Sequence, residues 1–468
     1  MSHPADSPSI PLAPEVLRNA TLPDGRRADI HLAEGRITAL VDQPGKTEQP
    51  DKTDQPGKTD HPDKIDQPDH PHRPDVGPGP ASGPGSIDLE GALVLPALVD
   101  GHAHLDKTLL GAPWQPHATS ATLREHIANE RALRSSVDVS VTDRATALAR
   151  RMVSLGTGHV RSHVDIDPDV RLDGLHALVE VREKFRDRLG IQIVAFPQSG
   201  VVTAPGVADL LDAALAEGAD LIGGLDPAGF DHDVDGQLDI VFGLAERHGA
   251  GVDIHLHDGG ETGTRQLRAI AERTAALGLD GTVTVSHAYA LGEVDTTELD
   301  RTATALATAG VAIMTNGPRH SMPPVLRLRD HGVRVFAGSD NIRDTWWPYG
   351  TADMLERATI IGLQGDLMTD DELRHAASMV TDEAAAALGL DGYGLAPGCR
   401  ADLVVIAAGG VAEAVAAHPR RLLVLHDGQV VGPAPEPDFP DFPNFPNFPD
   451  LPTFSVPGGD ASAPQGER

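Results

Sequence analysis

Cysteine is all but absent from this 468-residue chain, where Cys399 stands alone. One thiol cannot close an internal disulfide or build a thiolate metal site, so imidazoles and carboxylates are the only protein ligands available to an ion. Long apolar runs are missing too. No segment approaches the run of about 18 apolar residues that a membrane span needs, and MSHPADSPSIPLAPEVL lacks the basic start and apolar block of an export signal. A soluble, cytoplasmic protein with no membrane partner is expected. Positive charge is scarce: 38 Lys and Arg against 69 Asp and Glu leave a net charge of −31, which repels phosphate backbones and argues against a nucleic-acid partner. Histidine, by contrast, is plentiful at 22 residues, and a hydrophobic content of 40% is enough for a sizeable core.

Two segments stand apart. From Pro44 to Pro74 a proline recurs every six residues, with Lys46, Lys52, Lys58 and Lys64 in phase and an acid two places after each. With almost nothing apolar to bury, residues 43–86 are expected to form a disordered insertion. The tail DFPDFPNFPNFPDLPTF has period three, which in polyproline II puts Phe439, Phe442, Phe445, Phe448, Leu451 and Phe454 on one stripe. Residues 434–468 read as an extended, disordered tail, and residues 1–15 as a disordered start.

Elsewhere, short β-like runs alternate with helix-like stretches, the pattern of parallel strands joined by crossover helices. Eight such runs are ALVLPALVDGHAH (92–104), HVRSHVDID (159–167), IQIVAFPQSG (191–200), DLIGGLDPA (220–228), VDIHLHD (252–258), TVTVSHA (282–288), VAIMTNG (311–317) and VRVFAGSD (333–340). Intervening pieces such as GVADLLDAALAEGA and RQLRAIAERTAALG carry helical apolar spacing. The expectation is an α/β fold, a (β/α)8 TIM-like barrel over 93–396, with its site at the C-terminal ends of the strands. The flanks, 16–92 and 397–433, read as antiparallel strands around turns, and Asp24-Gly25 and Asp427-Gly428 are hairpin signals. They are expected to pair into one small β-sandwich domain built from both chain ends.

At the predicted strand ends, residues able to bind metal or move protons recur: His102 and His104, His163 and Asp165, Gln198, Asp226, then His255, His257 and Asp258, His287, Asn316, and Asp340 with Asn341. Singly, none would outweigh a structural role; their shared location makes a catalytic mouth. His102 and His104 lie two apart on a strand and share a face. Neutral imidazoles suit zinc or ferrous iron. A third imidazole from strand five and Asp340 from strand eight would complete the protein ligands and leave a position for water. A bound divalent ion lowers the pKa of such a water from about 15.7 toward about 7, which makes hydrolysis the natural chemistry.

VDGHAHLDK, HLHD, SHA and GSDN resemble the amidohydrolase superfamily of metal-dependent barrels, over about residues 90–432. HVDID, VAFPQSG, DLIGGLDPA and SDNIRDTWWPYGTADM narrow the resemblance to the cytosine deaminase branch, and within it to the aminohydrolases of triazine breakdown. The resemblance implies His102, His104, His255 and Asp340 as ligands of one divalent metal ion per subunit, zinc or iron. It also implies that His287 polarises the attacking water and shuttles its proton, with Asp340 accepting a proton as well. Asp226, not a lysine, ends strand four, which argues against a two-metal site. Relatives in the family assemble, so a homo-oligomer is implied.

Cytosine deaminases carry a glutamate three residues after the strand-five ligand; here stands Asp258, shorter by one methylene, or about 1.5 Å. The branch's aminohydrolases also have HD at this point, which moves the balance toward a substituted triazine or another cyclic amidine. Asp258 is the expected acid, while His257 is a substrate contact, an auxiliary acid or a structural hydrogen-bonder. Gln198 matches a glutamine that reads the amide edge of a pyrimidine, and Asn341 and Trp346 match positions near substrate. Lys107 is either a donor to a ring carbonyl or a solvated lysine, and Arg343 and Asp344 are expected to pair. The implied activity is hydrolysis of an exocyclic C–N bond of a small heterocyclic substrate. Cytosine or isocytosine deamination and a non-catalytic scaffold of the same fold are the alternatives.

Overall fold

The computed structural model describes residues 13–43, 85–117, 120, 122–134, 136–317 and 321–432. The expectations for most of the proline-rich repeat, for the Phe-Pro tail and for residues 1–12 lie outside the described residues. The first strands are β1 (Val16–Thr21), β2 (Arg27–Ala33), β3 (Arg36–Asp42), β4 (Ser86–Asp88) and β5 (Leu93–Pro96). Then come the eight barrel strands: β6 (Leu98–Ala103), β7 (Thr157–Asp165), β8 (Gly190–Phe196), β9 (Leu221–Leu225), β10 (Gly251–Leu256), β11 (Val283–His287), β12 (Ala312–Thr315) and β13 (Val335–Ala337). The last strands are β14 (Leu403–Ile406), β15 (Arg421–His426) and β16 (Gln429–Gly432).

Strands β6 to β13 pair in chain order, all parallel, with helices in the connections. The sheet closes where Ala103 bridges Asp340 and the Asp340 N–H donates to the His102 carbonyl at 2.7 Å. This seam needs Gly338, because a Cβ there would lie 2.7 Å from the His102 nitrogen. The helix Val207–Ala216 shows why the connections are helical: Val207, Leu210, Leu211, Ala214 and Leu215 recur at helical spacing and are all buried. Each such leucine is worth about 1.5–3 kcal/mol of burial.

The chain ends form one mixed sheet in the order β16-β15-β14-β5-β1-β2-β3, with β4 beside β1. It curls over its own core of Leu17, Ile30, Ile37, Val94, Val405 and Leu425, and the Ile37 N–H reaches the Cys399 carbonyl at 2.9 Å. At the β15–β16 hairpin both Asp427 and Gly428 have positive φ, 47° and 71°, as a tight Asp-Gly turn requires.

The run 92–104, expected as one barrel strand, is two. Strand β5 pairs with β14 in the end sheet, and only β6 enters the barrel. The Ala97 N–H still donates to the Asp402 carbonyl at 2.8 Å, and the Leu98 N–H turns to the Gly156 carbonyl beside β7 at 2.8 Å, so the chain changes sheets between Ala97 and Leu98 rather than at residue 92.

Candidate active site

Period-two alternation points His102 and His104 from β6 to the same side as His163 from β7 and His255 from β10, and all four are buried. One ring nitrogen from each lies within 4.8 Å of those of the others, as do the ligating atoms of His102, His287 and Asp340. The His102 ring stacks on His163 at 3.9 Å and meets His255 edge-on at 4.6 Å. Asp340 Oδ1 is 3.6 Å from His102 Nε2 and 3.3 Å from His104 Nε2, while its Oδ2 accepts from Asn316 Nδ2 at 2.7 Å. Three mouth residues hold left-handed backbone, Asp226, His287 and Asp340, at φ of 35°, 72° and 60°. Such strain persists where the surroundings over-determine it, as functional sites do.

Burial, reinforced by the neighbouring imidazoles, holds His102 and His255 well below the usual histidine range. Burial and then His257 push His287 down to about 3. Burial opposes ionisation of Asp340, but the hydrogen bond with His104 and the charges of His287 and His102 outweigh it and hold the carboxyl well below its ordinary range. The cluster is therefore neutral imidazole around carboxylate, which is the form that binds metal.

The donor set fits a divalent ion. His102 Nε2, His104 Nδ1 and both ring nitrogens of His255 and of His163 are buried without a hydrogen-bond partner among the described residues. Buried polar atoms are rarely left so, and one nitrogen from each of these rings gathered at one place calls for a ligand, although His163 Nε2 also lies 3.6 Å from Asp253 Oδ1. His163 joins this group although the resemblance gave it no role; its spacing, two residues from Arg161 and two from Asp165 on one strand face, was the available signal. At the end of β9 stands Asp226, engaged with His257, and not a second cation site's lysine.

The cluster opens into a cavity of about 800 Å³. His257 lines it, with Nδ1 2.8 Å from Asp226 Oδ2 and its ring stacked on His287 at 4.5 Å. Asp258 also lines it, yet its Oδ2 already accepts from the Gly229 N–H at 2.8 Å and from Gln266 Nε2 at 2.9 Å. Gln198 and Lys107 meet at the opposite wall at 2.5 Å.

Lys107 is not the solvated lysine of the bland alternative. It is buried, 3.0 Å from Asp165 and 3.3 Å from Glu130, and it lies 5.1 Å from the Trp346 ring and 5.8 Å from the Phe196 ring. Burial opposes its charge, but Asp165 and Glu130 outweigh burial and keep it an ammonium. Glu130 rises from the helix Leu123–Arg134 and also receives the Trp346 indole N–H.

The expected Arg343–Asp344 pair does not form among the described contacts. Buried Asp344 instead accepts from Asn341 Nδ2 at 2.6 Å and from the N–H groups of Trp346 and Trp347 at 2.8 and 2.9 Å. An aspartate side chain folds back on the backbone two residues on more readily than it meets its neighbour. Asn341 and Trp346 are thereby both fixed at the cavity wall.

Set beside known proteins, residues 86–432 match the Amidohydrolase family model. N-isopropylammelide isopropyl amidohydrolase of Pseudomonas sp. (strain ADP) is 32% identical over 355 residues, 74% of this chain and 87% of that protein. The crystal structure of N-isopropylammelide isopropylaminohydrolase from Burkholderia multivorans ATCC 17616 superimposes with a TM-score of 0.77 at 40% identity, covering 89% of this chain and 97% of that one. That of 5-methylcytosine deaminase from Klebsiella pneumoniae, liganded with phosphonocytosine, gives a TM-score of 0.74 at 28% identity over the same shares.

Proposed function

Because the chain belongs to the amidohydrolase family, we propose that it hydrolyses an exocyclic C–N bond of a small nitrogen heterocycle, releasing an amine or ammonia and leaving a ring carbonyl. The substrate class is an N-alkylammelide-like triazine or a related cyclic amidine. His102, His104, His255 and Asp340 would hold one zinc or iron ion. When bound, such an ion acidifies water, lowering its pKa from about 15.7 to about 7.

The chain's own residues do the rest. His287, kept neutral by burial, is ready to take a proton from the attacking water. Asp340, with Oδ2 tied to Asn316, fixes where that water stands. His257, oriented by Asp226, returns a proton to the departing amine or to a ring nitrogen. Lys107 and Gln198 present a donor and an amide to the ring edge, and Trp346 and Phe196 flank them.

The observation that carries this reading is the division between His257 and Asp258. The imidazole is backed by a buried carboxylate beside His287, whereas Asp258 is held in place by two protein donors to its Oδ2. A plain cytosine deaminase would need the acid at 258. The second reading, deamination of a cytosine-like ring, is supported by Gln198 at the cavity wall and by the likeness to 5-methylcytosine deaminase. Purified protein assayed for amine or ammonia release from N-alkylammelides, cytosine, isocytosine and creatinine separates them. Amine release from the N-alkylammelides is expected; turnover of cytosine alone would sink the first reading in favour of the second.

A further inference from the structure

Beneath the mouth the barrel carries a second polar layer that does not face the cavity. Arg161 on β7, Asp253 on β10 and Thr284 and Ser286 on β11 are at most 3% exposed. Asp253 lies two residues before His255 and Arg161 two before His163, and Thr284 pairs with Asp253, so these three stand one pleat below the imidazoles, while Ser286, opposite His255, links the two levels. Arg161 Nη1 donates to Asp253 Oδ2 at 2.9 Å and to Thr284 Oγ1 at 3.1 Å, and its other nitrogens reach the Gln192 side chain and the Ala387 carbonyl. Asp253 Oδ1 accepts the Ser286 hydroxyl at 2.7 Å, and Ser286 Oγ is 2.9 Å from His102 Nδ1.

A hydroxyl has one hydrogen. Given to the carboxylate, it leaves the serine oxygen to accept, so the proton of His102 sits on Nδ1 and the lone pair on Nε2. Nε2 is the buried atom without a hydrogen-bond partner, 3.6 Å from Asp340. A fully buried ion pair is a poor source of stability, because desolvation offsets most of its attraction. Its persistence in a barrel core therefore asks for another role.

We propose that the Arg161–Asp253–Ser286 chain is a positioning device that locks the tautomer and ring plane of His102 and so sets this chain's affinity for a divalent ion. The inference rests on the single-metal reading above and adds three residues to it. A carboxylate behind a metal-binding imidazole usually acts directly; here a serine is interposed, which lets one aspartate on β10 steer a histidine on β6 across the barrel.

The test strips the full-length protein with chelator and titrates Zn2+ or Co2+ against a competing chromogenic chelator. Ser286→Ala removes the acceptor and is expected to weaken binding about 10–100-fold, the usual effect of losing such a partner. Its Co2+ absorption spectrum should broaden as His102 loses its fixed plane. Thr284→Val cuts a bond to the same arginine one pleat below Ser286 but leaves the serine relay whole; its affinity should match the parent. Should Ser286→Ala not fold, Ser286→Cys, whose sulfur accepts only weakly, is expected to fall between the two. Parental affinity in both serine variants overturns the inference, and so does equal weakening by Thr284→Val, which would make the layer mere packing. A parent protein that binds neither ion overturns the metal reading, and this inference with it.

Discussion

At the scale of the residue, the proposed proton donor is set by partners on neighbouring strands, and His257 finds one in Asp226 at 2.8 Å. Strand period puts His255 and His257 on one face, and the family resemblance makes Asp258, three residues after His255, the expected acid. What counting does not reveal is the partner each side chain finds on another strand. Asp226, at the end of β9, captures His257, while Gly229 and Gln266 capture Asp258. These are contacts between segments far apart in sequence, beyond the reach of any local pattern. His257→Gln is expected to lower kcat by about 10²–10⁴-fold, as loss of a general acid does, and Asp258→Asn by less than about 10-fold. Steady-state kinetics on the preferred substrate check both, and the reverse order would return the acid role to Asp258. The Asn341–Asp344 pair escapes for a related reason: in a loop no period fixes side-chain direction, so adjacency in sequence says little about pairing.

Among the elements, the eight barrel strands were legible because each is a short apolar run ending in a polar residue, and the helices between them carry clean apolar spacing. The helix Leu123–Arg134 is different, and its polar sequence LREHIANERALR gives little sign that it belongs at the site. It is held there mainly by charge. Arg134 pairs with Glu130 and with Asp165 and Asp167, Arg131 with Asp167 and Asp169, and Glu130 reaches Lys107 and the Trp346 indole. Leu123 and Ile127 supply apolar contact, against Phe196, Leu225 and Phe230. Glu130 therefore ties the helix to two residues of the cavity wall. Hydrogen bonds to charged groups are worth about 1.5–3 kcal/mol, so Glu130→Gln should raise KM about 10-fold or more while kcat changes little. Amide hydrogen exchange within 123–134 should quicken in the same variant. Unchanged KM and exchange would mean that the helix is seated without Glu130.

For the whole molecule, the pairing of both chain ends into one sheet follows from their alternating patterns and Asp-Gly turns. The junction of that sheet with the barrel does not: Leu95, Val404, Ile406 and Val424 pack into the barrel core, Arg421 reaches the Leu155 carbonyl and Asp353, and a buried carboxylate sits among them. Asp402, just before β14, is 3.6 Å from His159 of β7, 3.4 Å from His426 of β15 and 2.8 Å from Arg400, and it accepts the Asp427 N–H at 2.6 Å. Burial opposes its charge, but the hydrogen bond with His159, the His426 charge and Arg400 outweigh burial, and its pKa sits well below the ordinary range. The sign of the pH dependence follows. Above the unfolded value of about 3.9 both states carry the carboxylate, and the folded-state contacts count in full. As pH falls below it, the unfolded chain takes up a proton that the folded protein resists, and the contribution drains away. Asp402→Asn removes the charge that His159, His426 and Arg400 face, while Arg400 keeps Asp427 at 2.7 Å, so a loss of about 1.5–3 kcal/mol at pH 7 is expected. Urea unfolding of parent and variant should show that gap narrowing between pH 5 and pH 3. A gap that stays constant across this range would mean that Asp402 titrates alike in both states and that its charge adds nothing to the junction.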